Sequence, residues 1–187
     1  MDSKLQIISG TYRGRKLALP DGARPTQNMA RGAIFNMLAG IFSADDKIFV
    51  WDAFAGSGAL GIETLSRYPN AMAIFTDVSD ESIKVIRKNT EKIAANRVCI
   101  VAADAVREIK KYGAHANLVF VDPPYENAKV GIGFVEKLAD VAPSGTVVVQ
   151  EIEKVAPYSP DIIKWEILRD KTYGRARFLI LRRHNLC

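Results

Sequence analysis

The sequence predicts an α/β fold in which helices cover both faces of a doubly wound, mostly parallel sheet. Five short runs are almost continuously apolar, and stretches with helical periodicity separate them. Such runs are typical of parallel strands, because crossover helices bury both faces of a parallel sheet. Two β-like runs close the chain with no long helix between them, which predicts an antiparallel hairpin at one edge.

The predicted elements alternate regularly from about residue 45 onwards. The apolar runs predict strands at 48–51, 71–76, 98–101, 118–121 and 146–149. The periodic stretches predict helices at 60–67, 79–95, 105–112 and 128–141. The C-terminal hairpin is expected near 165–169 and 176–181.

The N-terminal residues follow a different pattern. Short strands are predicted at 5–10 and 15–19, joined by a glycine-containing turn into a small β-hairpin. A loop containing Pro20 and Arg24-Pro25 follows, and apolar residues then recur at helical spacing from Ala30 to Ile41. We therefore expect an N-terminal extension of hairpin and helix at 1–44, attached to a main domain at 45–187.

The composition is that of a globular protein. The chain has 187 residues, of which 48% are hydrophobic and 25% charged. No apolar run is long enough to span a bilayer, and the first residues lack a signal peptide's apolar core. Two cysteines are too few for a disulfide framework. Cys99 lies in a predicted strand and is expected in the hydrophobic core. A cytoplasmic location is the default expectation.

The net charge of +5 is concentrated near the N-terminus. Six basic residues and one acid, Asp21, lie between Lys4 and Arg31, and the rest of the chain is balanced. This asymmetry indicates either a polyanion-binding segment or a solvated surface, and charge alone leaves both open. A second basic run near the C-terminus contains Lys171, Arg175, Arg177, Arg182 and Arg183.

The first predicted strand runs into a glycine-rich loop that opens a helix. Gly56, Gly58 and Gly61 match the G-x-G-x-x-G pattern, in which backbone N–H groups approach a nucleotide-like ligand closely. Asp52 immediately precedes this loop, and Phe54 lies within it. A carboxylate at this place repels a pyrophosphate but suits a ligand that carries an ammonium group.

Two more acids follow predicted strands. Asp77 comes at the end of the second strand, where a carboxylate accepts hydrogen bonds from ribose hydroxyls. Asp104 follows the third strand and suits the exocyclic amine of an adenine. Capping of the helix that follows is the alternative for both residues.

The most specific motif is Asp122-Pro123-Pro124-Tyr125, directly after the fourth strand. Two prolines stiffen the segment and cannot continue a strand. The Asp122 carboxylate and the Pro123 carbonyl only accept hydrogen bonds, so together they can receive both hydrogens of an amine. Tyr125 offers a flat face on which a base can stack.

These motifs together resemble the class I methyltransferases, Rossmann-like enzymes that use S-adenosylmethionine to methylate exocyclic amines. Their [D/N/S]-P-P-[Y/F/W] tetrad corresponds to 122–125, and their D-x-F-x-G-x-G loop to 52–58. The segments 10–17, 24–26, 35–38, 54–61 and 171–174 are further similar to the RsmD family, which methylates the N2 amine of a guanine in bacterial 16S ribosomal RNA. The resemblance covers nearly the whole chain.

The resemblance implies a role for each candidate residue. Asp122, Pro123 and Tyr125 would act on the target base, and Asp52, Phe54, Gly56, Gly58, Asp77 and Asp104 would bind S-adenosylmethionine. No metal is needed, because the sulfonium is already an activated electrophile. The expected phosphate contacts in RNA are Arg13, Arg15, Lys16, Arg24 and Arg31. The chain departs from the family where Asn28 and Gly32 replace two acids near the active-site mouth.

Other functions remain compatible with the sequence. DNA adenine-N6 methylation would also use the tetrad, although the chain leaves little room for a DNA-recognition domain. A nicotinamide dehydrogenase would share the glycine loop, but it has no use for the tetrad. A non-catalytic RNA-binding or ribosome-assembly factor is the alternative from a different class. We expect a monomer whose partner is 16S rRNA or the assembling small ribosomal subunit.

Overall fold

The computed structural model describes residues 5–22, 28–93, 95–123 and 128–185. Its strands form a single seven-stranded sheet with the order β3-β2-β1-β4-β5-β7-β6. The strands are β1 (Phe49–Asp52), β2 (Met72–Asp77), β3 (Val98–Ala102), β4 (Leu118–Val121), β5 (Val147–Glu153), β6 (Trp165–Tyr173) and β7 (Ala176–Arg183). The first five strands pair in parallel, whereas β7 is antiparallel to β5 and to β6. The predicted sheet and its C-terminal edge hairpin are confirmed.

Helices lie between the parallel strands, as the alternating pattern predicts. They are α1 (Asn28–Leu38), α2 (Ala59–Arg67), α3 (Asp80–Thr90), α4 (Ala105–Glu108) and α5 (Ala128–Leu138). The helix predicted at 105–112 is divided, because a π-helical turn at Ile109–Gly113 continues α4. None of the helices in these described ranges has the length and apolarity that crossing a membrane requires.

Helix α3 begins at a side-chain cap and ends earlier than predicted. The Ser79 hydroxyl accepts a hydrogen bond from the Ser82 N–H, which satisfies a free donor at the helix start. After Thr90 the chain turns back, and the Arg97 guanidinium donates to the carbonyls of Leu65 and Tyr68 at the end of α2. These carbonyls lack partners within α2, so Arg97 joins the start of β3 to that helix.

The two faces of the sheet bury separate hydrophobic clusters. Val50, Phe75 and Phe120 point to the face covered by α1 and α2, where Leu5, Ile7, Leu17, Ile34, Phe35, Leu38, Leu65, Phe178 and Ile180 join them. Trp51 and Val119 point to the opposite face, with Phe134, Leu138, Trp165 and Leu179. This alternation follows from the two-residue period of a strand. The N-terminal residues and the predicted main domain therefore share one core. A separate role of the N-terminal extension in contacting RNA stays a prediction.

The N-terminal hairpin is smaller than predicted. Gln6 and Lys16 form an isolated antiparallel bridge, and two turn glycines, Gly10 and Gly14, have φ of 82° and 80°. The ladder stops there because other N–H groups of this segment donate to side chains of α2. Tertiary bonds to the helix thus replace part of the predicted strand pairing.

Cys99 is exposed, so its predicted place in the core is wrong. It lies on β3, and β3 is an edge strand of the sheet. A strand at the edge lacks a neighbour on one side and is less covered than the central strands. The apolar run of β3 therefore does not imply that every side chain in it is buried.

Candidate active site

The carboxyl ends of β1 and β4 form the centre of the candidate site. These two strands are neighbours, and Asp52 at the end of β1 pairs with Phe120 of β4. Strand order reverses here, since β2 and β3 extend to one side and β5 to the other. In open α/β sheets the crevice at such a switch point is the usual ligand site. The glycine loop after Asp52 and the segment beginning at Asp122 both start at this crevice.

The glycine loop forms a tight turn into the start of α2. Gly56 and Gly58 have left-handed φ values of 53° and 76°, which favour glycine. Gly58 is the residue preceding α2, and its N–H donates to the Ala55 carbonyl at 2.6 Å. A Cβ added to Gly56 would meet no atom within 4 Å. The loop therefore presents backbone at an open surface, as ligand binding requires.

Asp52 is a buried carboxylate at the heart of this turn. The residue is 2% exposed, and its Oδ2 accepts a hydrogen bond of 2.9 Å from the Gly61 N–H. Burial raises the pKa of Asp52 to about 7, against the opposing effect of the Gly61 hydrogen bond. The nearby negative charge of Asp77 raises this pKa further. A cation placed beside Asp52 would favour its ionised form.

Asp77 holds the glycine loop from the end of β2. Its Oδ2 accepts from the Gly56 N–H and its Oδ1 from the Ser79 N–H, both at 2.8 Å. A carboxylate has about four acceptor positions, so these two bonds leave capacity for further donors. Asp77 is half-buried beside the open face of Gly56. This geometry is compatible with ribose binding, which stays a prediction.

Phe54 connects the glycine loop to α5. Its half-buried ring meets the Phe134 ring nearly edge-on, with centroids 5.4 Å apart. Phe134 in turn packs against Trp51 of β1 at 5.2 Å. The aromatic cluster therefore fixes the loop relative to the helix that follows the proline motif.

Asp104 caps α4. Its Oδ1 accepts a hydrogen bond of 2.8 Å from the Val106 N–H, and Arg107 lies 3.8 Å from its Oδ2. The alternative of helix capping is thus observed. The residue is also exposed, and its predicted contact with an adenine amine stays a prediction.

The proline motif begins directly after β4. Asp122 is half-buried and Pro123 is buried. A Cβ added to Gly131 of α5 would come within 2.8 Å of the Pro123 ring, so a glycine there lets α5 approach the motif closely. Pro124 and Tyr125 lie outside the described residues. The acceptor and stacking roles of Asp122, Pro123 and Tyr125 stay predictions.

The residues predicted to contact RNA differ in their accessibility. Arg13 and Lys16 are exposed on the N-terminal hairpin, and Arg15 is half-buried. Arg13 also borders a shallow surface pocket beside Met29 of α1. Arg24 lies outside the described residues.

The prediction for Arg31 is wrong, because this side chain is buried with no exposed surface. Its Nε lies 3.7 Å from Oε2 of the equally buried Glu63, and its Nη2 donates to the Gln6 carbonyl. Burial also lowers the pKa of Arg31, with the carboxylate of Glu63 acting against this effect. An arginine held inside the protein cannot contact the phosphates of an RNA. The helical pattern carried a signal for this, since Arg31 shares a face of α1 with Ile34 and Leu38.

Three polar residues that were not predicted from the sequence attach the N-terminal segment. Glu63 accepts hydrogen bonds from the Ile8 and Ser9 N–H groups at 2.8 and 3.0 Å. Ser66 bonds the segment through its hydroxyl and carbonyl, and Asn89 of α3 bonds both backbone groups of Ala18. A single indication was available in the sequence: the spacing of Glu63 and Arg67, which predicts an ion pair on a helix. That pair is present at 2.7 Å.

Comparisons with known proteins identify the family of this chain. A family model described as conserved hypothetical protein 95 matches residues 5–182. Ribosomal RNA small subunit methyltransferase D of Escherichia coli (strain K12) is 34% identical over 185 residues, which cover 96% of this chain and 90% of that protein.

Within the described residues, no group of three histidine, cysteine or acidic side chains is arranged to hold a metal ion.

Solved structures share the fold. The structure of yhhF from Escherichia coli matches with a TM-score of 0.82 and 32% identity, covering 97% of this chain and 99% of that one. TrmN from Thermus thermophilus matches with a TM-score of 0.65 and 16% identity, covering 82% of this chain and 48% of that one. The second likeness shows the fold alone, a Rossmann-like α/β sheet.

Proposed function

The chain belongs to the family of ribosomal RNA small subunit methyltransferase D, and from this premise we propose that it methylates the exocyclic N2 amine of a guanine in 16S ribosomal RNA, with S-adenosylmethionine as donor. The observation that carries the proposal is the place of Asp122. It follows β4, beside the glycine loop of β1, at the switch point of the sheet. An acceptor for an amine and a loop for a nucleotide-like ligand thus begin at one crevice.

The described residues fit S-adenosylmethionine by the chemistry of their donors and acceptors. Asp77 has acceptor capacity for ribose hydroxyls, and the backbone at Gly56 is open to a ligand. Asp52 supplies a negative charge for the ammonium of the methionine part. When bound, the donor supplies a methyl group on a positively charged sulfur, which needs no further activation.

The main task of the protein is then to align the target amine. The lone pair of an exocyclic guanine nitrogen is delocalised into the ring, so the nitrogen is a poor nucleophile. Accepting its hydrogens at the Asp122 carboxylate and the Pro123 carbonyl would localise this lone pair. Asp122 would also receive a proton late in the transfer. Once the target base has left the stack of bases in the RNA, the ring of Tyr125 would stack on it.

The N-terminal hairpin would hold the RNA through its phosphates. Arg13 and Lys16 are exposed there, and phosphate contacts position a nucleic acid without reading its sequence. Arg15 and Arg24 are further proposed contacts. The proposed substrate is 16S rRNA or an assembling small subunit, the proposed compartment is the cytoplasm, and the proposed state is a monomer.

The decisive experiment follows transfer of a labelled methyl group to 16S rRNA and to partly assembled small subunits. The modified base is then mapped. Wild-type protein should label one guanine at N2, and Asp122→Ala should lose transfer by at least a hundredfold while its affinity for S-adenosylmethionine stays within about threefold. Asp45→Ala, which removes an exposed acid before β1, is the control and should keep full activity. A labelled adenine, or full activity of Asp122→Ala, would overturn the proposal.

A second measurement tests the RNA contacts of the hairpin. Replacing Arg13 and Lys16 together by alanine should weaken binding of a 16S rRNA fragment and flatten its dependence on salt. The slope of log affinity against log salt should fall by about 1.4, since each phosphate contact contributes about 0.7 with single strands. An unchanged slope would show that these two residues form only a solvated surface.

A further inference from the structure

The tip of the β6–β7 hairpin carries an aromatic ring between two cations. Tyr173 is 40% exposed, and both Lys171 and Arg175 are exposed beside it. Gly174, with φ of 60°, makes the turn. We infer that this tip, residues 171–175, is a second RNA-contacting surface, where an unpaired base stacks on Tyr173 and Lys171 and Arg175 bind phosphates. The inference rests on the proposed function and adds to it a surface remote from the N-terminal hairpin in sequence.

Strand register places the tip at the same end of the sheet as the candidate site. The last residue of β4, Val121, pairs with Gln150 of β5. Strand β5 continues to Glu153, which pairs with Ala176 at the start of β7. The tip therefore stands about three residues, or roughly 10 Å, beyond the end of β4. It projects past the edge from which Asp122 starts.

The order of the strands sets the sideways distance. Strand β6 is the third neighbour of β4, after β5 and β7. At a spacing of about 4.8 Å between strands, the tip lies roughly 14 Å to the side of β4. A nucleotide a few positions from the target base would reach Tyr173 while the target itself lies at Asp122.

The ring is held in place before any ligand arrives. Its centroid lies 6.0 Å from that of Phe178, which is 1% exposed and belongs to the core. Arg177 binds both oxygens of Asp170 across the hairpin, at 2.9 and 2.7 Å, and also donates to the Tyr158 carbonyl. A ring supported by the core on one side loses little entropy when a base stacks on its exposed surface.

The charge at the tip favours a polyanion. The pairing of Asp170 with Arg177 neutralises the acid next to Lys171. In the described part of the chain, neither Lys171 nor Arg175 takes part in an ion pair. Glu153 of β5 is an exposed acid near the turn and opposes these two positive charges.

Phe178 shares its core cluster with Leu5 of the N-terminal segment. Both basic surfaces thus lie on one face of the sheet.

The test compares variants of this chain, residues 1–187, in binding a fluorescein-labelled single-stranded fragment of 16S rRNA. Tyr173→Ala should weaken binding by about fivefold or more, because stacking of one base contributes roughly 1–3 kcal/mol. Tyr173→Phe keeps the stacking surface and should bind within about twofold of wild type. Lys171→Ala with Arg175→Ala should lower the salt slope by about 1.4. Lys110→Ala with Lys137→Ala removes two exposed charges from the opposite face and is the matched control.

Affinity for S-adenosylmethionine, measured in parallel, reports on folding of the site and should not change in any variant. Wild-type binding of the fragment by Tyr173→Ala and by the Lys171/Arg175 variant would overturn the inference. If both variants bind the fragment normally but fail to methylate assembled subunits, the tip contacts a protein, which also overturns it. If wild-type protein itself neither binds RNA nor transfers methyl groups, the proposed function fails instead.

Discussion

Arg31 and Glu63 are buried side by side, with Nε and Oε2 3.7 Å apart and no exposed side-chain surface on either residue. Glu63 also accepts two backbone hydrogen bonds from the N-terminal segment and one from Arg67. Three parts of the chain, namely residues 6–9, α1 and α2, therefore meet at one carboxylate. The N-terminal segment is held in place by this polar cluster as well as by its apolar side chains.

Removing Glu63 should release that segment. Glu63→Ala leaves the guanidinium of Arg31 buried without its carboxylate and frees two backbone donors. Loss of one partner from a buried ion pair typically costs about 3–5 kcal/mol, and we expect a decrease of that size in the free energy of unfolding in urea. Hydrogen exchange of residues 5–17 should accelerate in the same variant. Glu136→Ala, at an exposed position of α5, should change stability by less than about 0.5 kcal/mol. A loss below about 1 kcal/mol for Glu63→Ala would contradict this role.

Gly10 and Gly14 offer a matched pair for testing how the hairpin turn meets α2. Both have φ near +80°, but a Cβ on Gly10 would collide with the Ser66 carbonyl, whereas one on Gly14 would meet nothing within 4 Å. Gly14→Ala should cost only the strain of a left-handed alanine, about 1–2 kcal/mol. Gly10→Ala should cost about 3 kcal/mol or more, because the turn must also move away from α2. Equal losses in thermal or urea unfolding would show that the turn does not depend on this contact.

Features that depend on neighbouring residues were predictable from the sequence, whereas contacts between distant residues were not. The central strands were predictable because burial on both faces leaves apolar runs in the chain, as at Leu118–Val121. The glycine loop and Asp77 were predictable because their positions follow directly from strand ends. The pairing of Glu63 with Arg31 was not predictable, since the two residues lie far apart in sequence and only the packing of α1 on α2 brings them together. Charge alone places an arginine at the surface, and here tertiary packing overrides that expectation.

The buried carboxylate of Asp52 should make stability depend on pH. Its pKa of about 7 in the folded protein exceeds the ordinary value of 3.8, so the folded state binds the proton more tightly than the unfolded state. Stability should therefore decrease as pH rises from about 4 to 7, and then remain level. Asp52→Asn removes this ionisation. The free energy of unfolding of the variant minus that of wild type should therefore be roughly 2–4 kcal/mol larger at pH 8 than at pH 5. Urea unfolding at the two pH values measures the difference, and an effect independent of pH would contradict the raised pKa.

The same ionisation should control binding of S-adenosylmethionine. A ligand ammonium favours ionised Asp52, but below pH 7 most of the free protein carries the protonated form. Since apparent affinity scales with the fraction of binding-competent protein, the protonation of Asp52 alone should weaken binding about tenfold between pH 8 and pH 6. The ligand ammonium begins to lose its proton near pH 8, which offsets part of this change.

Isothermal titration calorimetry in two buffers of different ionisation enthalpy should detect proton release from the protein at pH 6.5. The control is Asp52→Asn, which removes this ionisation and leaves only the titration of the ligand and of other groups. It should bind more weakly at pH 8 and lack the proton release that distinguishes wild type. An identical pH profile for wild type and Asp52→Asn would show that Asp52 serves the loop alone, through its hydrogen bond from Gly61.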